Sequence, residues 1–167
     1  MIPAALSERP GPTVLALSVR YVAVATLGHA LWEAGQLPLY TLWSTGAPRE
    51  IFTAYIHCTG GDVLIMFSTL SIAAALTRVR RRPLFERRMI FITIALGTAY
   101  TILSEWLNVK VWRSWAYAPA MPVLPGVGTG LAPLLQWLIV PSLAFAIALA
   151  GAPTPLDSRL PAQRKGT

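Results

Sequence analysis

The sequence predicts an all-α protein, a bundle of four transmembrane helices, and three observations carry that reading. The first is composition: 54% of the 167 residues are hydrophobic and 13% are charged, whereas about a quarter of a soluble domain is charged. The second is arrangement. Four apolar stretches are separated by polar or Pro/Gly-rich connections, and each stretch offers the roughly 20 residues that a helix needs to cross a bilayer core. The third is the position of the positive charge. The formal net charge is +7, and six arginines (Arg78, Arg80, Arg81, Arg82, Arg87 and Arg88) crowd one connection with Glu86 as the only acid among them. Such an excess marks a cytoplasmic loop. A nucleic-acid partner would need exposed aromatics or a binding fold around the cluster, and the sequence has neither.

Taken in order, residues 1–13 carry Glu8, Arg9, Pro10 and Pro12 and read as a flexible lead. The first helix is expected over 14–36. Arg20, in its early turns, can reach back to the headgroups. It also interrupts the apolar run ahead of Ala23-Val24-Ala25, which argues against a cleaved signal peptide and for a retained helix. Pro38 ends the helix, and Tyr40 and Trp43 in the connection suit an interfacial aromatic belt. The second helix is expected over 51–77, with Gly60-Gly61 marking a bend or a close helix approach.

The third helix is expected over 89–109. After it, Trp112, Trp115 and Tyr117 precede a run with Pro119, Pro122, Pro125, Gly126 and Gly128. That segment cannot be a regular helix and is expected to form a periplasmic cap, or to re-enter the membrane under protein cover. The fourth helix is expected over 133–150, with Pro133 in its first turn and a kink at Pro141. Residues 151–167 read as a disordered, basic tail that includes Arg164 and Lys165. With the arginines inside, four spans put both termini in the cytoplasm and the membrane domain, 14–150, in a bacterial inner membrane. The single cysteine, Cys58, excludes an intrachain disulfide and a cysteine-based metal cluster.

Within these apolar helices lie polar residues that a membrane makes expensive. Thr101, Ser104, Glu105 and Asn108 follow one another at spacings of three and four, a single stripe down the third helix. A carboxylate in such a place faces the bundle interior by default and marks a functional site. The first helix carries a similar stripe of His29, Trp32, Glu33 and Gln36. On the second, Asp62 shares a face with Tyr55 and Thr59, while His57 lies about 140° away at 100° per residue. His57 and Asp62 meet only if Gly60-Gly61 bends; otherwise one is a spectator. The fourth helix adds Gln136 and Trp137. Alternating helix directions place His29, Glu33, His57, Glu105 and Gln136 in the periplasmic half of the bilayer, with Asp62 about 18 Å deep. Gln36 and Asn108 fall near the interface, and Trp32, Thr101, Asn108, Gln136 and Trp137 are expected to line the pocket.

Two kinds of chemistry fit. Imidazoles and carboxyls exchange protons near neutral pH, so His29, Glu33, Asp62 and Glu105 are candidate acids and bases acting on an apolar lipid or isoprenoid. The alternative is a metal-binding redox or transport component, with Zn or Fe held by His29, Glu33, His57 and Glu105. The Glu-x-x-His pair of di-iron bundles is absent. A third possibility is a non-catalytic accessory subunit in which His29 bonds Glu33 one turn away and the polar groups only lock the helices together.

His29-x3-Glu33 on one helix, Asp62 on the next, and Gln136-Trp137 followed by Pro141 on the last resemble the pattern of the emopamil-binding protein family. The resemblance implies double-bond movement by proton transfer, with these residues as acid and base and the tryptophan holding a cationic intermediate. Gln136 stands where that pattern has an asparagine, and Trp137 is adjacent to it rather than three residues on. The Trp-Glu, Glu-Trp and Trp-x-Tyr-x-Pro features also resemble a family of small bacterial inner-membrane proteins with no assigned activity.

Overall fold

A few residues set the helix boundaries. In the computed structural model, which describes residues 14–77 and 87–150, α1 runs over Val14–Gln36 and is closed by a 3-10 turn at Leu37–Leu39. Pro38 cannot donate the bond that would continue it. A single turn, α2 (Leu42–Thr45), leads into α3 (Pro48–Leu76). This helix begins three residues before the expected start because Pro48 occupies its first turn and the Glu50 carboxylate accepts a 2.8 Å bond from the Ala47 N–H. Next come α4 (Arg87–Trp106), a π-helical turn at Leu107–Val111 and α5 (Leu131–Leu149). The π turn carries the third span past its expected end: the Trp112 N–H reaches the Leu107 carbonyl at 2.8 Å, five residues back. The expected lead over 1–13, Arg78, Arg80, Arg81, Arg82 and Glu86, and the tail over 151–167 lie outside the described residues.

The four long helices close into a ring in which α1 packs on α5, α5 on α4, α4 on α3 and α3 on α1. One strip of each helix faces the centre, and its character changes along the strip. On α1 it passes from Tyr21 and Ala25 to His29, Glu33 and Gln36. On α4 it passes from Met89 to Thr101 and Glu105 by steps of four residues. One half of the bundle is therefore an apolar core, containing Met66, Ala73, Ala144, Phe145 and Ala148, with the Tyr21 ring stacked on Phe145 at 4.1 Å. The other half is polar. Leu15, Leu31, Phe52, Leu64, Phe91 and Leu143 point outward and are exposed. That outer surface suits lipid, not water, and all four helices are long and apolar enough to cross a membrane.

Two glycines allow α5 to approach its neighbours. A Cβ on Gly28 would lie 2.8 Å from Val140, and one on Gly97 would lie 2.0 Å from the Trp137 ring. The helix is not broken at Gly60-Gly61: α3 is continuous from Pro48 to Leu76. Close approach is absent as well, since a Cβ at either position would meet nothing within 4 Å. These two glycines leave space. Pro141 sits inside α5 without dividing it.

Substitution tests the distinction. Gly97→Ala should lower unfolding stability in detergent by about 1–3 kcal/mol, because Trp137 must be displaced. Gly60→Ala should raise it by about 0.5–1 kcal/mol through the helical entropy that glycine forfeits. An unchanged unfolding midpoint for Gly97→Ala would contradict the packing described.

Candidate functional site

Gln136, near the start of α5, joins the polar half. Its side-chain N–H2 donates to Asp62 Oδ2 on α3 at 2.7 Å and lies 3.1 Å from His29 Nδ1 on α1. Its carbonyl accepts from Gln36 Nε2 at 3.3 Å, and the same Gln36 nitrogen donates to Glu33 Oε1 at 2.7 Å. The two amides thus give each of their hydrogens a partner. Trp137 Nε1 donates to the other Asp62 oxygen at 3.3 Å, and the Glu33 carboxyl comes within hydrogen-bonding reach of Asp62. His29 is fully buried, with Nδ1 3.6 Å from Asp62 Oδ2 and its ring 4.9 Å from the Trp137 ring. With the Gln136 amide donating to Nδ1, the imidazole hydrogen belongs on Nε2, which has no partner among the described residues.

Glu105 forms a second wall. Its carboxylate accepts from the Tyr117 hydroxyl on one oxygen and from Tyr40 at 3.5 Å on the other. Tyr117 in turn accepts a 2.8 Å bond from the Gly130 N–H. The 112–130 connection is held in place by backbone pairing as well: Thr41 N–H donates to Ala116 O at 3.0 Å and Ala118 N–H to Leu39 O at 2.9 Å. Burial, and then the adjacent Glu105 carboxylate, push both the Tyr40 and Tyr117 phenols above their ordinary value.

Between the walls lies a cavity of about 420 Å³, within the range of about 300–1,000 Å³ usual for small-molecule sites. Glu33, Asp62 and Glu105 all line it, and among the described residues no Lys or Arg does.

The structure resolves several sequence expectations. Thr101, Asn108, Gln136 and Trp137 are among the residues that line the cavity. Trp32 does not; its Nε1 donates to Ala132 O at 3.1 Å and ties α1 to the first turn of α5. His29 lies behind Asp62 and Gln136, outside the cavity lining. Of the pair on α3, Asp62 is buried at the centre, whereas His57 is exposed at the cavity edge; at 100° per residue the two point about 140° apart along the continuous helix. Consequently the metal set of His29, Glu33, His57 and Glu105 is not assembled. Among the described residues no three His, Cys, Asp or Glu side chains converge to hold an ion. Gln36, read at the interface, is buried and bridges Glu33 to Gln136. Sequence reading missed the phenols of Tyr40 and Tyr117. The Trp-x-Tyr-x-Pro feature pointed at the right segment, but nothing local to it indicated Glu105 as the partner.

No protein-family model matches this chain, and no curated protein or solved structure is detectably similar to it.

The phenols set a pH dependence. An unfolded phenol ionises near pH 10, and both phenols hold their protons more tightly in the folded chain. Their contribution is therefore complete below about pH 10 and lost as pH rises above it. Unfolding midpoints should fall above about pH 10, and less steeply in Tyr117→Phe. At neutral pH, Tyr117→Phe should cost about 1–3 kcal/mol because Gly130 N–H and Glu105 each lose a partner. Equal alkaline slopes for the two proteins would contradict this role.

Proposed function

We propose that the protein is a multi-pass enzyme of a bacterial inner membrane that moves a proton on a lipid or isoprenoid. The observation that carries this reading is the pair of carboxyls, Glu33 and Asp62, in mutual hydrogen-bonding reach at the wall of a cavity in the bundle. Two carboxyls that share a hydrogen bond hold a proton between them. That is what an isomerase acting on an alkene needs: one group delivers a proton to a double-bond carbon, and the other removes one from the carbon beyond. Protons and electrons balance without a redox partner.

Asp62 and Glu33 are the acid and base. Trp137 holds Asp62 through Nε1, and its ring, which also lines the cavity, is suited to face a developing carbocation. Gln136 and His29 are positioning residues that orient Asp62 from behind, and Glu105 with its two phenols closes the opposite wall. The resemblance to the emopamil-binding pattern agrees with the roles of Glu33, Asp62 and Trp137. Orientation follows from charge: Arg87 and Arg88 begin α4 next to the other four arginines, so that end lies in the cytoplasm, and the 112–130 connection caps the cavity on the periplasmic side.

Asp62→Asn keeps the shape and removes the proton. It should lower turnover of an unsaturated isoprenoid in reconstituted vesicles by about 10²–10⁴-fold with thermal stability largely retained. Glu105→Gln should also lower turnover. Undiminished turnover in both variants would end the proton-transfer reading.

A further inference from the structure

Short contacts close two of the four seams between the helices around the cavity. The short contact of Gly28 with Val140 seals α1 against α5, and Gly97 under the Trp137 ring seals α4 against α5. The apolar core closes one end. The 112–130 connection, bonded to Leu39 and Thr41, lies over the other and contributes Ser114 and Trp115 to the lining. Among the described residues four exposed side chains line the cavity: His57 on α3, Tyr100 on α4 at 49% exposure, Trp112 at the end of the π turn that continues α4 at 63%, and Ser114 on the connection; three of the four belong to α3 and α4. Gly61 lines the cavity there, and its missing side chain is open space.

Charge is the second observation. Among the described residues three carboxyls line the cavity and no Lys or Arg does. Lys110 is turned along Gly128 on the connection, and neither Lys110 nor Arg113 lines the cavity. Each carboxyl is already served by neutral donors: Asp62 by Gln136 and Trp137, Glu33 by Gln36, and Glu105 by Tyr40 and Tyr117. A phosphate head would enter this wall of acceptors without a counter-charge, and burying like charges together is strongly disfavoured. A hydroxyl both donates and accepts and needs no counter-charge.

We infer that α3 and α4 frame a lateral mouth that opens to the lipid and admits hydroxyl-headed amphiphiles while rejecting their phosphate esters. The inference rests on the lipid reading above and adds the route and the head group. The substrate reaches the site from the membrane as the free alcohol, so a reaction that hydrolyses a phosphate ester must precede this one when the precursor is phosphorylated.

The single cysteine provides a readout independent of activity. Cys58 lines the cavity beside the mouth, so a bound ligand should slow its alkylation by a lipophilic maleimide. Farnesol and farnesyl monophosphate, at matched mole fractions in vesicles containing the protein, give the comparison. Farnesol should protect Cys58 at a mole fraction lower by at least about tenfold than the phosphate requires, and the gap should narrow in Glu33→Gln/Glu105→Gln. Gly61→Leu fills the space at the mouth and should abolish protection, with helical content and unfolding midpoint retained. Equal or stronger protection by the phosphate overturns the head-group selection. Protection that survives in Gly61→Leu overturns the mouth. If neither compound protects Cys58, the lipid reading falls and the inference with it.

Discussion

Three buried carboxyl groups, with no lysine or arginine beside them among the described residues, are the constraint on which the polar half of this protein depends. Glu33, Asp62 and Glu105 line one cavity, and an acid deprived of both water and a cation must find neutral donors or hold its proton. The donors come from two helices and two connections. Gln36 on α1 serves Glu33, Gln136 and Trp137 on α5 serve Asp62, and Tyr40 and Tyr117 from two connections serve Glu105. Registering the helices against one another and satisfying the acids are the same structural event.

That coupling explains the division of the bundle into halves. In the apolar half, Tyr21, Met66, Met89, Ala144 and Phe145 pack into one buried cluster and hold the ring of helices closed. In the polar half the side chains leave a space, which Gly61 enlarges. A cavity weakens packing, and a network weakens steeply when one member is lost. The close contacts of Gly28 with Val140 and Gly97 with Trp137 lie between the two. They anchor α5, which carries Gln136 and Trp137, so the position of Asp62 depends on them.

Much of the fold was legible in the sequence because a membrane helix is a local property. Its length, its apolar composition and its terminating prolines are all written within the segment; accordingly α1 has the expected bounds, and the others differ by a few residues at their ends. The polar stripe of Thr101, Ser104, Glu105 and Asn108 was legible for the same reason, since helical spacing alone puts those residues on one side, and all four line the cavity. His57 and Asp62 were ambiguous because a glycine pair permits a bend without requiring one. The partners of Gln36 and Trp32 were not legible because position along a helix gives depth, whereas the neighbour across the gap decides what a side chain bonds.

The sequence by itself determined four apolar helices, the strip of each that carries polar groups, and the shared depth of those groups, all of which follow from spacing along one chain. Only the tertiary structure decided the partners. Glu105 was the expected focus for ionisable groups from the other helices, yet it meets two tyrosine hydroxyls brought by the 37–45 and 112–130 connections. Asp62, at the centre of the bundle, is where His29, Gln136 and Trp137 converge. The physical reason is that a hydrogen bond requires approach to about 3 Å. Which groups come that close depends on how four helices rotate and pack together, and spacing along one chain does not encode that.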